Sequence, residues 1–244
     1  FNRLIGYRMI RNAAGFVAIT PDEFEAYEHY GIDRSRVVLI PNGINEADFK
    51  VSRDQGFVGR LGLNGAPFIL FMGRLNPIKG PDLLAEAFCN VCETFPRYHL
   101  VFAGPDGGML SQLKEMVKSH HLQDRVHFAG YISGQDKTNA YAAADFLVIP
   151  SRQEAMSIVV LEAGIVGTPV LMTDCCGFDE VDAIGGGLVV KASVQGLEKG
   201  LIKMTGQAVS LPQMGKQLLA FVKANYTWQL ISELSMDIFR KVSI

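Results

Sequence analysis

A basic excess is missing from this chain. Its 23 lysines and arginines stand against 25 aspartates and glutamates, a net charge of −2. A general nucleic-acid binder, which shows a basic surplus or patch, is excluded on that ground. Long apolar runs are missing too, and none approaches the ~18 residues that a helix needs to cross a bilayer. Cysteine is scarce, with four in 244 residues. Cys89 and Cys92 form a C-x-x-C pair, a pattern that can serve redox or metal chemistry. They sit, however, inside "LLAEAFCNVCETF", an apolar segment of helical period. Cys175 and Cys176 are adjacent, a poor way to give two ligands to one tetrahedral ion. Reduced thiols in a cytoplasmic protein are expected, with neither disulfides nor a metal site. Glycine is plentiful, yet neither G-x-G-x-x-G nor G-x-x-x-x-G-K-[ST] occurs, so the dinucleotide and P-loop fingerprints are absent.

What the chain does have is rhythm. Short β-branched runs recur as "GFVAIT", "RVVLIP", "FILFMG", "YHLVFAG", "RVHFAG", "DFLVIP", "PVLMTD" and "GLVV". Most are continuously apolar, as strands covered on both faces read. Helical stretches at 80–94, 108–119, 134–143 and 155–166 separate the later ones. This alternation predicts an α/β domain, a Rossmann-like parallel sheet with helices on both faces. A boundary is expected near Pro41-Asn42-Gly43. Upstream, residues 1–40 hold a strand ending in Thr20, a helix opened by Pro21, and a linker. Residues 41–210 form the main domain, and 211–244 form two amphipathic helices that break near Tyr226 and Trp228. Their apolar positions need a partner surface, in this domain or in another. The sequence opens at Phe1 rather than Met and is read as a piece of a longer protein.

Ligands of open parallel sheets bind at the carboxyl ends of the strands, so the loops there carry the interest. After "FILFM", Gly73 permits close backbone approach, Arg74 follows, and Lys79 stands near a helix start. Two cations beside a helix N-terminus suit a diphosphate, although two loop cations can equally be solvated charges. After "DFLVIP" comes "SRQEAMSIVVLEAGIVGTPVL", in which Glu154 and Glu162 border an apolar stretch. A helix starting near Ser157 aims its free amides, from about Met156 to Val159, at an anion. Eight residues of helix span ~12 Å, about the reach from a hexose across a diphosphate to a ribose. Sugar hydroxyls at the two ends give both carboxylates hydrogen-bond partners. The plainer alternative pairs Glu162 with a basic side chain and makes Glu154 a helix-start acid.

Taken together, these residues resemble the donor domain of family 4 retaining glycosyltransferases, the C-terminal half of a GT-B fold. The family's E-x7-E is matched by Glu154 and Glu162, and "FMGRLNPIKGPDLLAEAF" is similar to its diphosphate-binding segment. The resemblance runs over residues 35 to 195. It implies that Arg74 and Lys79 bind the donor diphosphate and stabilise the leaving nucleotide. It implies that Glu162 hydrogen-bonds the ribose and that Glu154 contacts the transferred sugar. The amides of Ala155, Met156, Ser157, Ile158 and Val159 surround the sugar and phosphates, and the backbone of Tyr131 and Ile132 meets the base. Arg74, Lys79 and Glu154 are the catalytic candidates. No metal is implied, because Arg74, Lys79 and the helix end can replace a divalent cation, and no cofactor, since the nucleotide sugar, UDP- or GDP-linked with a lean to UDP, is a substrate. The acceptor, a saccharide, lipid or small molecule, belongs to an N-terminal domain of which residues 1–40 are a remnant, so the fragment alone is expected to be inactive. Any peripheral membrane association would also run through that domain.

Two departures from the family pattern stand out. A Gly-Phe-Gly-like run is replaced by Ala155-Met156-Ser157, whose side chains are expected to narrow the sugar pocket. The "GG-x-P-E" loop appears as "CCGFDE", leaving Gly177 and Glu180 as loose matches. Two other function classes fit less of the pattern: a non-catalytic sugar-nucleotide-binding module, and another Rossmann-like enzyme such as a sugar-nucleotide epimerase or a dehydrogenase.

Overall fold

The computed structural model of the chain describes residues 7–52, 56–63, 65–178, 180–206 and 210–242. Phe1, at which the sequence opens, lies outside the described residues. A small N-terminal unit pairs β1 (Phe16–Ala18) with β2 (Val37–Leu39) in parallel, after α1 (Tyr7–Asn12) and across α2 (Glu23–His29). Ala18, Ile32 and Val37 form its own small core. β1 stops two residues before Thr20, and a turn over Thr20 and Pro21 intervenes before α2.

The main sheet has six strands: β3 (Phe68–Met72), β4 (His99–Ala103), β5 (Val126–Gly130), β6 (Phe146–Ile149), β7 (Val170–Thr173) and β8 (Gly187–Val190). All neighbours are parallel, in the order β5-β4-β3-β6-β7-β8. The chain steps outward from β3 to β5, returns beside β3 as β6, and steps outward the other way. That reversal opens a crevice at the carboxyl ends of β3 and β6, where doubly wound sheets bind ligands.

The apolar runs explain why the sheet is covered twice. Phe68 and Leu70 of β3 pack to one side, with Tyr141, Val160, Leu161 and Leu218. Ile69 and Phe71 pack to the other, with Leu84, Phe88, Leu197 and Leu201. The first face therefore carries α3 (Gly56–Arg60), α6 (Gly134–Ala143), α7 (Ile158–Ile165) and α10 (Leu211–Asn225). The second carries α4 (Pro81–Val91), α5 (Leu110–Ser119) and α9 (Val194–Thr205). A short α8 (Glu180–Ala183) leads into β8.

Where helix ends fall inside the predicted spans, the reasons are local. The segment 155–157 is loop rather than helix, because Ser157 is extended, at φ −79° and ψ 101°. Past Val91 the chain tightens into a 3-10 turn, Cys92–Thr94. The C-terminal tail divides at Tyr226. Upstream, α10 buries Leu218 and Val222 against α7. Downstream, α11 (Trp228–Val242) buries Ile231 and leaves Trp228, Leu230, Leu234 and Met236 exposed. At the break, the Ile44 amide donates to the Tyr226 carbonyl (2.7 Å) and the Trp228 amide to the Ile44 carbonyl (3.0 Å). The segment just past Pro41-Asn42-Gly43 is thus fastened to the tail.

Candidate functional site

Three loops meet at the carboxyl edge of β3, β6 and β7. From β3 the chain runs through Gly73 and Arg74 into a 3-10 turn, Pro77–Lys79, capped by the Asn76 side chain, whose carbonyl accepts the Lys79 amide (3.0 Å). Gly80 then adopts a left-handed conformation, φ 64°, directly beneath the β6 loop. A Cβ there would run into the Pro150 carbonyl oxygen, so glycine is what lets the turn sit against that loop. A second device fastens the same two loops. The Arg152 guanidinium forks onto both Asp82 carboxylate oxygens (2.8 and 2.6 Å) and donates to the Pro77 carbonyl (2.7 Å). Burial alone would raise the Asp82 pKa, but the hydrogen bond and charge of Arg152 hold it below the ordinary carboxylate value.

Glu154 is the centre of this junction. Lys79 Nζ lies 2.9 Å from its Oε2, and the Ser151 hydroxyl donates to its Oε1. Ser151 is itself held by Thr173, whose hydroxyl donates to the Ser151 carbonyl (2.5 Å). From β7 the loop closes underneath, where the Cys175 and Cys176 carbonyls accept the Glu154 and Ser157 amides (2.8 and 3.1 Å). Gly177, at φ 66°, makes that approach possible, since a Cβ there would strike the Ala155 carbonyl oxygen. The loosely matched Gly177 therefore has a definite steric job.

Glu162 lies further on, inside α7, and each of its carboxylate oxygens has one partner. Lys137 Nζ donates to its Oε1 (2.8 Å) and the Tyr141 hydroxyl to its Oε2 (2.7 Å), both from α6. The basic partner that the plainer alternative demanded is present. Tyr141 is completely buried, and burial first, then the Glu162 charge, drive its pKa well above the ordinary phenol value. It stays a donor.

The other singled-out positions divide by exposure. Arg74 lays its stem against Gly107 and is exposed, with no partner for its guanidinium among the described residues. Tyr131 is 73% exposed, while Ile132 packs on the core. Ala155 and Ile158 are exposed, Val159 half-buried. Met156 and Ser157 turn inward: both are buried, and Met156 Sδ accepts the Asn42 amide (3.4 Å). Of the three side chains expected to narrow the sugar pocket, Ala155 alone is exposed. Ser157 keeps a buried hydroxyl without a partner among the described residues.

Two small hollows open on this edge. One, of about 180 Å³, lies past β4 and β5 between Phe102, Gly104, Lys114, Phe128, Gly130 and Tyr131. The other, of about 250 Å³, separates Thr20, Pro21 and Asp22 of the N-terminal unit from Asp174, Gly177 and Glu180. Roomier hollows, of about 640 and 560 Å³, sit around Tyr98 and Asp145 at the amino edge, away from these residues. Size does not mark the chemistry here. The four cysteines are free thiols, and burial pushes Cys89 and Cys176 up to about 11. Among the described residues no three His, Cys, Asp or Glu side chains converge as metal ligands, and no helix is long and apolar enough to cross a membrane.

Lys79, Ser151, Tyr141, Lys137 and the Arg152–Asp82 clasp make Glu154 and Glu162 two separately braced carboxylates beside a doubly wound crevice. Fold and site together define the C-terminal half of a GT-B glycosyltransferase fold. Residues 59–217 match the family described as "Glycosyl transferases group 1", and the chain belongs to it. It is similar to mannosylfructose-phosphate synthase of Agrobacterium fabrum, at 35% identity over 71% of this chain and 41% of that one. HepE of Anabaena in complex with UDP-glucose superimposes with a TM-score of 0.83, at 20% identity, over 96% of this chain and 65% of that one. The C-terminal domain of a group 1 glycosyl transferase (LpcC) from Francisella tularensis does so with a TM-score of 0.66, at 20% identity, over 76% of this chain and all of that one. The chain spans about half the length of the curated relatives it matches.

Proposed function

We propose that this chain is the nucleotide-sugar-binding half of a retaining glycosyltransferase, with a UDP-linked hexose as donor. The observation that carries the reading is the junction of Lys79 with Glu154 ahead of α7, with Arg74 on the same loop as Lys79 and its guanidinium without a partner among the described residues. An arriving diphosphate offers Lys79 a stronger partner than a lone carboxylate, and Arg74 supplies the second cation. Glu154, released by Lys79, accepts hydroxyls of the transferred sugar. Glu162 accepts the ribose hydroxyls, and the amides of Ala155, Met156, Ile158 and Val159 face the ligand, the Ser157 amide being taken by the Cys176 carbonyl. The base lies near the backbone of Tyr131 and Ile132, over the hollow between Gly104 and Gly130. Fixed cations then stabilise the charge that develops on the departing nucleotide. The complex of HepE with UDP-glucose supports the choice of UDP and of a hexose. The acceptor is held by a preceding α/β domain, so this chain binds donor without transferring it.

Calorimetry with UDP and with uridine tests the central assignment. Arg74→Ala and Lys79→Ala each lose a charge-assisted hydrogen bond and should weaken UDP binding roughly tenfold or more while barely changing uridine binding. Equal losses for both ligands defeat the diphosphate role. A transfer assay on this chain, and on a version that carries an N-terminal α/β domain, separates a half-enzyme from a binding module. The half-enzyme is silent alone and active when extended; tight binding without turnover in both marks a module.

A further inference from the structure

We propose that Tyr141 and Lys137 are positioning residues for ribose recognition, holding the Glu162 carboxylate so that each oxygen keeps one acceptor site for a vicinal diol. The inference rests on the reading of Glu162 as the ribose ligand. A carboxylate offers about four acceptor sites, two on each oxygen. Tyr141 takes one on Oε2 and Lys137 one on Oε1, at 2.7 and 2.8 Å. One site remains on each oxygen, which suits a 2′,3′-diol and its pair of donors.

The brace is rigid where it needs to be. Tyr141 has no exposed surface, and its backbone carbonyl accepts the Thr168 hydroxyl (2.7 Å), so its phenol cannot follow a wandering carboxylate. Its proton is secure, because burial and the neighbouring carboxylate both disfavour phenolate. Lys137 is sandwiched between Glu162 and the Phe49 ring, 5.4 Å from the ring centroid. Both residues project from α6, which begins just after Tyr131 and Ile132. Ordering the carboxylate before ligand arrives removes part of the entropy that binding must otherwise overcome. An ion pair with no ligand role would leave nucleotide selectivity untouched, which makes the two readings separable.

The test measures the affinity of this chain for UDP and for 2′,3′-dideoxy-UDP by calorimetry, with the GDP pair run alongside. The quantity read is the preference for the ribose form. Tyr141→Phe and Lys137→Met should each cut that preference roughly tenfold, the loss of one hydrogen bond to a charged group, with Lys137→Arg restoring most of it. Lys137 is partly exposed, so its variants remain informative if Tyr141→Phe folds poorly. Glu162→Gln is the internal control. If it leaves the preference unchanged, or if no ribonucleotide binds better than its dideoxy form, the ribose reading of Glu162 falls and takes this inference with it. If Glu162→Gln abolishes the preference while Tyr141→Phe and Lys137→Met leave it intact, the positioning role alone is overturned.

Discussion

The two carboxylates of the site are built alike and anchored differently. Each receives one ammonium and one hydroxyl, from Lys79 and Ser151 for Glu154 and from Lys137 and Tyr141 for Glu162. For Glu154 both donors come from neighbouring loops, and the hydroxyl is only three residues away. For Glu162 both come from a packed helix, and the hydroxyl is fully buried. The Lys79 ammonium has no second ion pair, hydrogen bond or ring contact among the described residues, whereas Lys137 also rests on Phe49. The ammonium on Glu154 can leave its partner, whereas the Ser151 hydroxyl is buried and both donors to Glu162 sit on a packed helix. A donor ligand demands that division: its diphosphate must recruit a cation, and its ribose gains from a receptor that is already in place.

The strongest blow to the loop-held end is aimed at the backbone rather than at a charge. Gly177→Ala puts a Cβ into the Ala155 carbonyl at a left-handed residue, so the two loops must separate. Strain of this kind plus a backbone clash should destabilise the chain by about 3 kcal/mol, read by urea denaturation. UDP affinity should fall with it, and more steeply for UDP-glucose than for UDP, because the Glu154 loop is the part displaced. Unchanged stability would mean that the loop tolerates relocation and that its close approach is incidental.

Neutralising each carboxylate compares the two anchorages directly. Glu162→Gln leaves Lys137 and Tyr141 facing an amide inside a packed interface and should destabilise by about 1.5–3 kcal/mol. Glu154→Gln should destabilise by about 1 kcal/mol or less, since Lys79, a third exposed, can turn to water. The ligand effects should run the other way for a sugar-bearing donor, with Glu154→Gln losing UDP-glucose relative to UDP. A stability order opposite to this one breaks the division between exchangeable and fixed partners.

The sequence made the scaffold legible and the bracing invisible. Continuous apolar runs such as "FILFM" and "DFLVI" pack on both faces of a parallel sheet, and a period-two or period-3.6 pattern is local enough to read. Ser157 as the end of a loop and the break at Tyr226 were legible for the same reason, since caps and breaks are short-range features. Tyr141 and Lys137 stand 21 and 25 positions from Glu162, inside the unremarkable helix "GQDKTNAYAA", and nothing local distinguishes them. The Arg152–Asp82 clasp, 70 residues apart, is equally silent. Met156 misled for a related reason: a side chain after a motif glutamate reads as facing the ligand, yet the apolar core claimed it. Pairings that depend on which helix lies over which loop emerge only from the fold.

The clasp supplies the mildest test of the loop-held end, and its pH dependence can be worked through. The Asp82 carboxyl titrates below its ordinary value in the folded chain, held there by Arg152 against the opposing effect of burial. As pH falls, the unfolded chain therefore takes up this proton first, near the usual value of about 3.9. The stabilisation is complete above that value and is lost as pH drops through the lower folded one. Both partners are partly solvated, with side chains 38% and 23% exposed, so the contribution is discounted to about 1 kcal/mol. Asp82→Asn should accordingly be less stable than the parent at pH 7 by about that amount, with the gap closing below about pH 4. The same change should loosen the Lys79 turn and weaken UDP binding a few-fold, without altering the preference for UDP over its dideoxy form. A change in that preference would show that the clasp reaches Glu162, and the two ends of the site would then be one coupled unit rather than two.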